Sequence, residues 1–138
     1  MNQTPFYIEH LSVIRSVGCS ISPQAYMEAV NSGYQNTCLG YLYISPAGSE
    51  EVGYAILQGV FTPDDIINIV HSLKDKHFDP DQVQLDRLEF SYSLGENEED
   101  DPWHRLHSIS LTNEPGSGTT VADMVARFKQ AAVAGWAC

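Results

Sequence analysis

Leu85-Asp86-Arg87-Leu88-Glu89-Phe90-Ser91-Tyr92-Ser93-Leu94 alternates in polarity. In an extended chain Leu88, Phe90, Tyr92 and Leu94 fall on one face, and Arg87, Glu89, Ser91 and Ser93 on the other. Arg105 to Leu111 is again β-prone, so Leu85 to Leu111 is expected to hold two strands. Between them runs Glu96-Asn97-Glu98-Glu99-Asp100-Asp101, with Trp103 at its exit. The expected result is a hairpin whose loop carries Glu96, Glu98, Glu99, Asp100 and Asp101.

Upstream, Pro63 to His77 repeats Ile66, Val70, Leu73 and His77 at helical spacing, with Ile67 widening the stripe. Thr62 precedes a proline and has Asp65 three residues on, the pattern of a capping box. Asp64 and Asp65 suit the positive end of the helix dipole, Lys74 and Lys76 its negative end. Asp79-Pro80-Asp81 breaks the helix. Before it, Thr37 to Ile44 and Glu51 to Phe61 flank the turn Pro46-Ala47-Gly48-Ser49 and predict a first antiparallel hairpin. Tyr41 and Tyr43 share a face of one strand, Tyr54 and Ile56 a face of the other.

Two helices open the chain. Pro5 to Val17 aligns Tyr7, Leu11, Ile14 and Val17 and stops at Gly18, with a strand through Ser12 to Val17 as the competing reading. Pro23 to Asn31 follows the cap Ser22 and pairs Tyr26 with Val30. The last helix, Val121 to about Ala134, starts with Thr120 and Asp123, another capping box. It should bury Val121, Val125, Phe128 and Ala132 and end at Gly135, with Trp136 folding back onto the core. The expected order is α-α-β-β-α-β-β-α. That is one α+β domain over residues 1–138, a mainly antiparallel sheet of about four strands in two hairpins with helices packed on it.

Charge narrows the function classes. Eighteen acidic residues face 7 basic ones, a net charge of −11. Direct nucleic-acid binding is disfavoured because repulsion replaces counterion release. An anionic membrane surface is disfavoured likewise. A basic protein surface would be attracted. Three cysteines, Cys19, Cys38 and Cys138, lack metal-site spacing and read as free thiols. No signal peptide and no apolar stretch of about 20 residues is visible, so a cytoplasmic location is expected.

Few constellations carry chemistry. Pro115-Gly116-Ser117-Gly118-Thr119-Thr120 precedes a helix, and such a turn can offer backbone N–H groups to an anion. Gly116 to Thr120 resembles the cofactor loop of amino-group DNA methyltransferases, which cradles S-adenosylmethionine. That family's loop follows an Asp-Pro-Phe lead-in and needs a second Asn/Asp-Pro-Pro-Tyr/Phe motif. Here the lead-in is Asn113-Glu114-Pro115 and the second motif does not occur. A plain turn with a helix cap is the simpler reading. His104 and His107 could ligate a metal, but on a strand they point to opposite faces unless a bulge intervenes. Cys19 and Cys38 have no adjacent histidine in sequence. No catalytic residue, cofactor or metal is therefore expected.

The sequence is thus read as a protein-binding module, a monomer or homodimer that neutralises a partner with a basic surface, such as a nucleic-acid enzyme. An immunity protein, an antitoxin or a phage anti-defence protein would act in this way. Glu96, Glu98, Glu99, Asp100 and Asp101 would supply charge and Trp103 an apolar anchor. One alternative is topological: the order α-β-β-α-β-β-α after the first helix resembles class I type III secretion chaperones, which implies a dimer wrapping an unfolded effector segment. The other is a small ligand- or cofactor-binding enzyme using the Gly116–Gly118 turn.

Overall fold

β1, Asn36–Ile44, is the middle strand, and alternate residues Thr37, Leu39, Tyr41 and Tyr43 on one of its faces are all buried. The computed structural model describes residues 8–44, 48, 50–88 and 103–136. Within them β1 pairs antiparallel with β2, Glu50–Gln58, and with β3, Arg105–Thr112, in the order β2-β1-β3. The helices are α1, Ile8–Ser16, α2, Pro23–Asn31, α3, Pro63–Ser72, and α4, Val121–Ala134. A short 3-10 turn spans Pro80–Val83. The domain is α+β with an antiparallel sheet, as the sequence implies.

The core lies on one face of the sheet. Leu39, Tyr41, Leu57, Leu106, Ile109 and Leu111 meet Phe61, Ile66, Ile69, Val70, Met124, Val125 and Phe128 from the helices and their connections. Buried Thr37 is satisfied from both sides: its hydroxyl donates to Gly59 O at 2.8 Å and accepts from Phe61 N–H at 3.1 Å.

Local chemistry sets several boundaries as read. Both capping boxes form, Thr62 with Asp65 and Thr120 with Asp123. Ser22 caps α2 by accepting from Ala25 N–H. α2 and α4 span the predicted residues, and Gly135 follows α4 with φ +86°. Trp136 folds back as expected: its Nε1 donates to Ser72 O at 2.8 Å, and its ring meets Phe128 edge-on.

Other expectations are corrected. Three strands are found among the described residues, which do not confirm the expected total of about four. Residues 85–88 are irregular, and the rest of the predicted strand lies outside the described residues. Pro5 and Tyr7 also lie outside them, and α1 is described from Ile8. α3 stops at Ser72, five residues before His77. Leu73 leaves the helix with ψ 152° and is half-buried rather than buried. The chain then reverses through Asp75 and Lys76, at φ +50° and +70°, closed by two Lys74–His77 backbone bonds. Positive φ at both central residues is what a tight two-residue hairpin requires. Lys74, Lys76 and His77 therefore belong to a turn, not to a helix end. In α4 the buried alanine is Ala131, and Ala132 is exposed.

Candidate partner-binding surface

Both ends of the segment that contains the acidic run are tied to the core. On the near side, Leu85 N–H donates to Pro80 O and the Tyr41 hydroxyl donates to Asp86 O at 2.9 Å. Burial pushes that phenol up to about 12, with Asp86 adding to the shift, so it stays a donor at neutral pH. Leu88 N–H donates to Nε2 of fully buried His104 at 3.0 Å. An Nε2 that accepts carries no hydrogen. On the far side His104 exchanges both backbone hydrogen bonds with Phe78. His104, just after 89–102, thus bonds to Leu88 just before it and to Phe78, among the rings of Tyr41, Tyr43 and Phe78.

Glu96, Glu98, Glu99, Asp100 and Asp101 lie outside the described residues. Trp103 is described. It is half-buried against the 74–77 turn, with Lys74 Nζ 5.7 Å from its ring centroid. Part of its surface is therefore used within the chain, in a cation–π contact. Sequence reasoning missed this neighbour because it placed Lys74 on a helix.

The second face of the sheet was not anticipated as a surface. The register puts Cys38, Leu42 and Ile44 of β1 beside Ile56, Val52 and Glu50 of β2, opposite the helices. Tyr54 lies across Gly40, where an added Cβ would stand 3.0 Å from its ring. Tyr54 is nonetheless 60% exposed, and Ile44 and Val52 are about two-fifths exposed. Such an apolar stripe, rimmed by Glu50, Ser108 and Ser110, is the kind of surface on which proteins meet. Alternation in β2 was the available signal: Tyr54 and Ile56 share a face, and it is the open one.

The remaining chemistry is muted. Burial pushes the Cys19 thiol up to about 12. Burial, then Glu114, also raises Cys38. Both thiols are therefore protonated, and weak nucleophiles, at neutral pH. A bulge does sit at His107, since Gly40 pairs with Ser108 and Tyr41 with Leu106. His104 remains enclosed with Nε2 engaged, and no three potential ligands converge among the described residues. The Gly116–Gly118 turn extends the sheet edge. Ser117 donates to Ile56 O through both N–H and Oγ, and Gln58 N–H donates to Thr119 O. Gly116 lies against Gln58, so any side chain there would collide with it. Asp123 occupies the helix N-terminus that an anion would need.

Asp79 is a buried carboxylate that accepts from Asp81 N–H at 3.0 Å. Burial raises its pKa above the ordinary value; the Asp81 N–H lowers it, the Asp81 charge raises it and Arg87 lowers it. A raised folded pKa favours folding below the unfolded value and loses that contribution as pH climbs through the folded one. Asp79→Asn keeps the cap and removes the charge. Its stability relative to the parent should therefore be greatest at pH 7 and shrink below about pH 4. Urea unfolding of both proteins at the two pH values measures this; an equal difference at both would contradict the shift.

No family model matches the chain, and neither a curated protein nor a solved structure matches it. Among the described residues no helix is long and apolar enough to cross a membrane.

Proposed function

We propose that this chain is a protein-binding module that neutralises a partner with a basic surface, in the manner of an immunity protein, antitoxin or anti-defence inhibitor. The observation that carries the reading is the open face of the sheet, where Tyr54, Ile44 and Val52 stand exposed on a backbone fixed by two strand ladders. A rigid apolar surface of this kind loses little entropy on docking. The net charge of −11 supports a basic partner, and the anchoring of Leu88 and His104 supports presentation of the acidic run from a fixed base.

The test is affinity capture from the native host, followed by binding kinetics at two ionic strengths. Replacing Glu98 and Glu99 by Gln, and Asp100 and Asp101 by Asn, should slow association by about tenfold or more and remove much of its salt dependence. Tyr54→Ser should instead speed dissociation, by about tenfold for a buried contact worth ~1.4 kcal/mol. Trp103→Ala is read together with a melting curve, because Trp103 also packs within the chain. Unchanged rates in both the neutralised variant and Tyr54→Ser would refute the reading.

A further inference from the structure

We propose that the free edge of β3, beside α2, takes up an extended basic segment of a partner as an added strand. Ser20 already makes one rung of such a strand. Its N–H donates to His107 O at 2.9 Å and its C=O accepts from Ile109 N–H at 3.0 Å, a parallel bridge centred on Ser108. In a strand, the N–H and C=O of one residue point to the same side, and that side repeats every second residue. Ile109 C=O and Leu111 N–H therefore face away from β1 and form the next rung. Continuing the strand would bring Ser22 to that place, but Ser22 turns off as the cap of α2. Among the described residues no group bonds Leu111 N–H from this side.

The vacant rung opens into a cleft of about 450 Å³ between α2 and β3. Its floor is apolar, made by Ile21, Tyr26, Phe61 and Leu111, and the floor is firm: Tyr26 donates to Phe61 O at 2.6 Å. Ser22, Ser32, Ser108 and Ser110 line its walls. Glu28 is the one charged residue of the lining among the described residues, and its carboxylate accepts from neutral Gln24. Arg15 is not among the lining residues, and its guanidinium donates to Ile21 O at 3.0 Å. A main chain laid parallel to β3 would donate to Ile109 C=O and accept from Leu111 N–H. Alternate apolar side chains would reach the floor, and a lysine or arginine would reach Glu28. Strand addition gives affinity through the main chain and selectivity through the pocket and the carboxylate. This site deepens the reading of the chain as a binder of basic proteins and rests on it.

The probe is an alternating lysine–valine hexapeptide, acetylated and amidated, with a library varying the apolar residue, titrated into the 15N-labelled full chain. The expected result is saturable amide shifts at Ser110, Leu111, Ala25 and Ala29, with Leu111 amide exchange slowed about tenfold or more. The glutamate–valine peptide, and the lysine peptide N-methylated at alternate amides, should each bind about tenfold more weakly or less. Ala25→Trp, at an exposed helical position, should block the cleft, and Glu28→Lys should reverse the charge preference. Absence of binding across the library at about millimolar concentration would overturn the proposal. So would equal binding of the N-methylated peptide, or shifts confined to the open sheet face. The variant neutralised at Glu98, Glu99, Asp100 and Asp101 separates the two ideas. Peptide binding that survives in it upholds the cleft even if the acidic run fails as a contact. Binding lost there and kept in Ala25→Trp refutes the cleft.

Discussion

Phe128→Ala should lower the stability of the fold by about 3–5 kcal/mol. The side chain has no exposed surface and is the hinge of an aromatic row. Phe78 meets it edge-on at 5.1 Å and Trp136 at 6.0 Å, between ring centroids. Truncation removes the burial of a whole ring and leaves a space that two fixed neighbours cannot fill. The same helix carries an internal control. Val133 is 89% exposed, and Val133→Ala should change stability by no more than about 0.5 kcal/mol. Urea midpoints of the two variants test the orientation of α4. Comparable losses in both would mean that the helix is rotated from the position described.

The second large effect is expected at His104. His104→Phe keeps a ring of similar shape and deletes the acceptor, so the half-buried Leu88 N–H loses its partner. Leaving a fully buried donor unsatisfied costs about 1–3 kcal/mol, and a half-buried one should lie toward the lower end, about 1 kcal/mol. Hydrogen exchange shows where the loss falls. The Leu88 amide should exchange faster, while the Phe78 amide, bonded to the backbone oxygen of residue 104, should be affected only through global stability. Equal acceleration of both amides would mean that the ring nitrogen holds nothing in place.

What the sequence revealed was mostly local. A capping hydroxyl and a carboxylate three residues later lie within one turn, so Thr62 and Thr120 could be read directly. The end of α3 could not. His77 continues the helical stripe, and the competing state is held by pairing between Phe78 and His104, far away in the chain. Lys76, beside Asp75, adopts a left-handed conformation that its residue type does not announce. The same limit hid the β3 cleft, which exists because Ser20 meets Ser108. The open sheet face was half legible: alternation grouped Tyr54 with Ile56, but only the register shows which group meets the helices. The acidic run was legible from composition alone, and its residues lie outside those described.

The anchoring of Leu88 and His104 has a consequence for how this chain can change over evolutionary time. Two points pinned to the core fix the ends of whatever joins them, and for a flexible connection the length-dependent cost is the entropy of closing it. That entropy varies only logarithmically with length, about 0.6 kcal/mol for each doubling. A flexible insert carried between these two anchors could therefore be lengthened, shortened or recharged at small thermodynamic cost, provided that the Tyr41, Phe78 and His104 contacts stay intact. Related chains could share the clasp and differ in the insert. A designer could use the same two anchor points to graft a foreign recognition loop.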